Sequence, residues 1–125
     1  FKAIKTSGDI NQNIKLSATC VRVPVINGHS ESVNIEFEKD YSLDDIKKTL
    51  SIAPGCEVID EHKDGGYITP VEASGSYKTF ISRIRKDKTN AKALNIWIVS
   101  DNLLKGAALN TVQIAEKLME KQHGK

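Results

Sequence analysis

Only two cysteines, Cys20 and Cys56, occur in the 125 residues. They are too few for a disulfide framework and fit a reducing compartment. A zinc centre would have to recruit them together with His29 and His62, and the close ligand pairs of structural zinc sites are missing, so no metal enters the reading. No apolar run approaches the roughly 20 residues that a membrane helix needs, and residues 1–5 lack the apolar stretch of a signal peptide. Charge of one sign is scarce too: 18 basic against 16 acidic residues leave +2 with no sustained block, which calls for neither nucleic acid nor a membrane surface. No Gly-rich phosphate loop, internal repeat or low-complexity tract is present. The expectation is a soluble, cytoplasmic protein. The chain opens on Phe1 rather than Met, as a piece of something longer would.

What is present is one domain's length of chain, enough to bury roughly two thirds of the surface its unfolded form exposes. Residues 1–13 read as an irregular lead-in. Residues 14–26 are rich in Val, Ile and Thr, which predicts a long strand. Pro24 cannot donate to a ladder and marks an edge or bulge near its end. Asn27-Gly28 suits a two-residue hairpin turn, after which Val33, Ile35 and Phe37 alternate with polar neighbours in a second strand. In such a hairpin Arg22 and His29 share one face, with backbones about 13 Å apart.

Ser42 caps a helix whose first turn carries Asp44 and Asp45 and whose buried face carries Ile46 and Leu50; Pro54-Gly55 stops it. A short strand over residues 56–59 leads into a polar loop over 60–66 that, with its extension to Gly75, reads as exposed and tolerant of change. Residues 78–87 alternate as a strand, with Phe80, Ser82 and Ile84 on one face and Ile81, Arg83 and Arg85 on the other. Residues 94–99 form the most apolar strand and hold the only tryptophan, Trp97. After the cap signal Ser100-Asp101, the residues Leu103, Ala107, Val112, Ile114 and Leu118 mark a helix to about Met119, interrupted by Gly106. The fold class is therefore α+β (mixed α/β), a largely antiparallel sheet covered by helices.

Residues 20–34 set an arginine and a histidine on an otherwise apolar run. Arg22 either pairs with a glutamate such as Glu31 or Glu36, or offers a fork that grips a carboxylate or phosphate. His29 is either an exposed turn residue or a proton-exchanging group, and Gly28 beside it permits a ligand close to the backbone. Cys20, in the same apolar run, reads as a buried small residue. The basic residues Arg83, Arg85, Lys86 and Lys88 are interrupted by Asp87 and lack flanking aromatics, as a solvated strand end would.

The segment Cys20-Val21-Arg22-Val23-Pro24-Val25, followed by Gly28-His29-Ser30-Glu31 and by Asp101-Asn102-Leu103-Leu104-Lys105-Gly106-Ala107-Ala108-Leu109-Asn110, resembles the C-terminal part of the bacterial aspartate-β-semialdehyde dehydrogenases. Ala53-Pro54-Gly55, Thr69-Pro70, Arg83-Ile84-Arg85, Leu94-Asn95-Ile96-Trp97 and Val112-Gln113-Ile114-Ala115-Glu116 match in the same order. The resemblance spans residues 14–118 and implies the C-terminal domain fold of glyceraldehyde-3-phosphate-dehydrogenase-like enzymes. It implies a catalytic and dimerisation domain over 14–120, with the helix of 101–120 packed on a nucleotide-binding domain that these residues do not include, and a tail over 121–125.

That family converts L-aspartyl 4-phosphate to L-aspartate 4-semialdehyde reversibly with NADPH, through a cysteine thioester, on the way to lysine, threonine, methionine and diaminopimelate. The resemblance implies that His29 is the acid/base, that Arg22 holds the substrate α-carboxylate, and that Asn102 contacts the nicotinamide end of NADP(H). It also implies a homodimer or larger oligomer acting on a small-molecule substrate. Leu104 departs from the basic residue many relatives carry there. The nucleophilic cysteine and the nucleotide-binding domain lie upstream of anything present, and Cys20 is not that cysteine; the 125 residues alone are expected to be inactive. The other reading is a non-catalytic ligand-binding or dimerisation module on the same scaffold.

Overall fold

The structure, a computed structural model, describes residues 12–123. Its elements are β1 (His29–Glu36), α1 (Leu43–Ile52), β2 (Cys56–Val58), α2 (Pro70–Ala73), β3 (Thr79–Lys86), β4 (Ala93–Ser100), a π-helical turn (Leu104–Ala108) and α3 (Leu109–His123). The strands form one sheet in the order β1-β4-β3-β2. β4 is antiparallel to both of its neighbours, and only the short β2 runs parallel, beside β3. The α+β expectation holds, with helices over a mostly antiparallel sheet.

The strand expected over residues 14–26 does not form, and neither does its hairpin with β1. A two-residue type I′ turn needs positive φ at both central residues. Gly28 has φ 103°, but Asn27 is not in the left-handed region. The Val25 N–H instead donates to the Val23 carbonyl at 2.9 Å across Pro24, a γ-turn that folds the chain out of any ladder. β1 finds its partner in β4, from His29 opposite Ser100 to Glu36 opposite Ala93. Ile14, Leu16, Val21, Val23 and Ile26 are left exposed.

Two apolar layers hold the sheet. On one face Ile81, Ile84, Leu94 and Ile96 pack under Ile46 and Leu50 of α1 and Val33 and Ile35 of β1. Ser42 caps α1 as expected, its Oγ accepting from the Asp45 N–H at 3.3 Å. On the other face Ala73, Phe80 and Val99 pack with Trp97 and Ile68. Strict alternation in β3 would put Ile84 with Phe80. A bulge between Ser82 and Arg85, with Arg83 at φ 53°, moves Ile84 to the face of Ile81 instead. The extra residue of a bulge shifts every later side chain across the sheet. The Arg83 guanidinium then stacks 5.5 Å from the centre of the Tyr67 ring.

The loop after β2 is less tolerant than its composition implied. The Asp60 side chain, only 6% exposed, binds Lys47 of α1 at 2.6 Å and accepts from the Ile84 N–H at the bulge at 3.0 Å. Burial pushes its carboxyl up, but the Lys47 contact, the Ile84 N–H, the Lys47 charge and His62 together bring it below the ordinary value. Farther on, the chain forms α2 rather than open loop. Thr69 and Glu72 make a capping box, Ala73 is fully buried, and the Trp97 Nε1–H donates to the Ile68 carbonyl at 2.9 Å. Asp60→Ala is expected to cost about 1–3 kcal/mol, because it orphans the Ile84 N–H. Asp60→Asn keeps an acceptor there and should cost less; urea denaturation of the two variants checks the order.

Candidate active site

Arg22, His29 and Asn102, which lie on three different stretches of chain, line one open cleft of about 440 Å³ together with Cys20, Gly28 and Leu103. β1 places His29: its first residue is locked opposite Ser100 by the ladder, so the ring projects at the sheet's end. The turn between β4 and the π-helical segment places Asn102 in the same cleft. Arg22 and His29 are both exposed, and among the described residues no ion pair joins Arg22 to Glu31 or Glu36. The two residues meet in the cleft without the hairpin. Cys20 is also exposed, contrary to the buried role expected of it, because the segment carrying it is not a strand and packs against no layer.

Gly28 ties the start of β1 to Asn102. Its N–H donates to the Asn102 Oδ1 at 2.8 Å, and a Cβ at its position would come within 2.9 Å of the Pro70 Cβ. Only glycine accommodates both the positive φ and that approach. With Oδ1 engaged, Asn102 has its Nδ2 hydrogens left to offer a ligand in the cleft.

Asp101 lies beneath, 3% exposed. Its Oδ1 accepts from the Leu103 N–H at 2.9 Å, and its Oδ2 from the Gly75 N–H at 2.8 Å and the Asn27 Nδ2 at 3.3 Å. The Gly75 N–H holds this carboxyl below the ordinary carboxylate value; against the opposing effect of burial, the Leu103 and Leu104 N–H groups and the Asn27 amide act the same way. The turn that follows is π-helical, with the Ala108 N–H donating to the Leu103 carbonyl at 3.1 Å. Such turns recur at functional sites. Within it Lys105 reaches Gln113 of α3 at 3.0 Å.

Arg22, His29 and Asn102 were expected from the sequence; Asn27, Gly75 and the full set of contacts to Asp101 were not. Asn27-Gly28 carries a turn signal and Asp101 a cap signal, and each conceals a contact to a residue far along the chain. The basic residues of β3 are absorbed locally: Arg83 stacks on Tyr67, and the Arg85 Nη1 donates to the Arg83 carbonyl at 2.8 Å.

Residues 2–105, a span that includes all three cleft residues, match the family described as semialdehyde dehydrogenase, dimerisation domain. The chain belongs to this family. It is 48% identical over 110 residues to the aspartate-semialdehyde dehydrogenase of Aquifex aeolicus, an overlap that covers 88% of the chain and 32% of that relative. Among solved structures it is similar to Vibrio cholerae aspartate semialdehyde dehydrogenase II complexed with ASA, with TM-score 0.76, 37% identity, and coverage of 82% of this chain and 30% of that one. The Francisella tularensis aspartate semialdehyde dehydrogenase follows with TM-score 0.67 and 25% identity, covering 90% of this chain and 38% of that one. The dimerisation-domain chain thus spans about a third of the length of these relatives.

The carboxylates give the domain an acid limit. A carboxyl lowered in the folded state contributes stability at pH above its unfolded value, and loses it as pH falls through the folded one. Asp60 and Asp101 are both lowered. Asp87 is lowered to about 2, mainly by the Thr89 hydroxyl and N–H, with Asn95 and Asn34 also donating. Thermal melts should hold steady from about pH 7 to 5 and fall progressively below about pH 4. A Tm unchanged to about pH 2 would contradict this account of the carboxylates.

Proposed function

We propose that the chain is the dimerisation-domain part of an aspartate-semialdehyde dehydrogenase, an NADP(H)-linked oxidoreductase that interconverts L-aspartyl 4-phosphate and L-aspartate 4-semialdehyde. Arg22, His29 and Asn102 are its contribution to the active site. The observation that carries the reading is that the three residues given substrate, proton and coenzyme roles by the family resemblance line a single cleft. Membership of the family and close identity to several dehydrogenases support it.

Arg22 grips the substrate α-carboxylate through two parallel hydrogen bonds, which fixes the reacting carbon in place. No side chain competes for that fork in an ion pair among the described residues. His29 takes the proton from the attacking thiol and returns one to the substrate oxygen, a two-way task that imidazole suits near neutral pH. Its strand anchor opposite Ser100 holds the ring at the cleft without burying it. Asn102 fits the carboxamide end of the coenzyme, because its Oδ1 is already occupied and its Nδ2 can donate to a carbonyl. Bound NADP(H) supplies or accepts the hydride.

The nucleophilic thiol belongs to a part of the enzyme outside these residues, and the 125 residues alone turn over no semialdehyde. The complete enzyme is a cytoplasmic homodimer or larger assembly serving lysine, threonine, methionine and diaminopimelate synthesis. In it, His29→Ala should lower turnover about a hundredfold or more, whereas Cys20→Ser should leave turnover within about twofold, well short of the loss that removal of a nucleophile brings. Steady-state assays of semialdehyde oxidation decide both. Full activity in His29→Ala removes the acid/base role, and collapse in Cys20→Ser moves the nucleophile into this chain.

A further inference from the structure

We infer that Asp101 is a positioning residue for Asn102, a carboxylate that sets the Asn102 amide as a donor toward the coenzyme. The inference rests on the coenzyme role proposed for Asn102. An ordinary N-terminal cap needs only one contact, to an N–H of the first turn. Asp101 makes that contact to Leu103 and two more that a cap does not require, to Gly75 after α2 and to Asn27 before β1.

The contact to Asn27 has a parallel. Asp101 accepts from Asn27, and Asn102, next in the chain, accepts from Gly28, next after Asn27. Two adjacent residues are thus tied to two adjacent residues across the cleft floor. The Asp101 backbone carbonyl accepts from the Leu104 and Lys105 N–H groups at 3.2 and 2.8 Å, which fixes Asn102 from its C-terminal side as well. The orientation of the Asn102 amide follows. Turned over, it would set its NH2 against the buried Gly28 N–H, donor against donor, and leave that N–H unpaired. Held as it is, Asn102 has its Oδ1 committed to Gly28 and its Nδ2 hydrogens left to donate, which selects a ligand group that accepts, such as a carboxamide carbonyl.

Asp101→Asn replaces one acceptor oxygen with an NH2 that must face either the Leu103 N–H or the Gly75 and Asn27 donors. Two measurements on the complete enzyme test the inference. The first needs no coenzyme: amide hydrogen exchange at Gly28 should quicken about tenfold or more in Asp101→Asn, while the Val99 amide in the centre of the sheet keeps its protection. The second is a cycle with Asn102→Ala. Asp101→Asn should raise the coenzyme KM about tenfold with kcat changed less than about threefold, and should add nothing further in the Asn102→Ala background.

A Gly28 rate that stays unchanged, or that rises only in step with Val99, overturns the inference; so does a full additional KM loss on top of Asn102→Ala. If Asn102→Ala alone leaves the coenzyme KM unchanged, the coenzyme role of Asn102 fails instead, and the exchange experiment still decides whether Asp101 holds the amide. Should Asp101→Asn not fold, Asn27→Ala removes one Asp101 contact together with the 2.8 Å bond that the same Nδ2 donates to the Ser74 Oγ; with Ser74→Ala as the control for that second bond, it is read by the same two measurements, with the same outcomes deciding.

Discussion

The buried carboxylate of Asp101 is where the chain before β1, the end of α2 and the turn after β4 are brought to one point. The placing of Asn27, Gly28 and Asn102 at the cleft depends on that meeting. β4 delivers the carboxylate there because it is the inner strand that pairs with both β1 and β3. β1 then starts at His29 because Asn27 and Gly28 are tied to Asp101 and Asn102 rather than to each other as a hairpin turn. α2 lies close enough that Pro70 leaves room only for glycine at position 28. The core supplies cohesion through Ile84, Leu94 and Val99, but geometry at the cleft comes from a few polar contacts at the sheet's end. A carboxylate satisfied by several N–H groups is well suited to the task, since each contact is directional and its loss leaves a buried donor unpaired.

The apolar surface has a complementary message. Leu103, Val112, Ile114, Leu118 and Met119 stand exposed from the turn after β4 through α3, and Val21, Val23 and Ile26 stand exposed in the segment before β1. Exposed apolar residues in this number mark contact surfaces rather than solvent-facing ones. In the enzyme proposed above, the nucleotide-binding domain would cover the α3 face. The family's description as a dimerisation domain agrees with such surfaces.

Much of this was legible in the sequence, for reasons that differ by element. α1 announced itself through Ser42, its paired aspartates and the Ile46/Leu50 spacing, all local signals. β4 was plain because a strand buried on both faces is apolar throughout. β1 was right in its alternation and wrong in its partner: the strand it pairs with lies 57 to 71 positions along the chain, from Glu36 opposite Ala93 to His29 opposite Ser100, and Pro24 with the γ-turn removed the nearer candidate. The bulge at Arg83 was hidden, because it is a property of the register between β3 and β4 and not of either strand alone. α2 is a single turn, too short for a period, and Asp60 looked like any loop aspartate until Lys47 and Ile84 were placed beside it. Arg22, His29 and Asn102 were singled out through family resemblance, which carries long-range information that periodicity does not, and the fold brings the three to one cleft; their roles stay proposals. Cys20 misled because its neighbours are apolar but its segment is not a strand.

In the proposed enzyme the cleft of Arg22, His29 and Asn102 holds the reacting substrate. A crystal structure of the complete enzyme with aspartate semialdehyde bound tests it most directly. The substrate carboxylate is expected in a two-pronged contact with the Arg22 guanidinium at about 2.7–2.9 Å, with a His29 ring nitrogen within about 3.2 Å of the substrate oxygen or in hydrogen-bonding reach of the attacking sulfur. A substrate seated outside this cleft, or one whose carboxylate is held by other groups while Arg22 faces solvent, would contradict it.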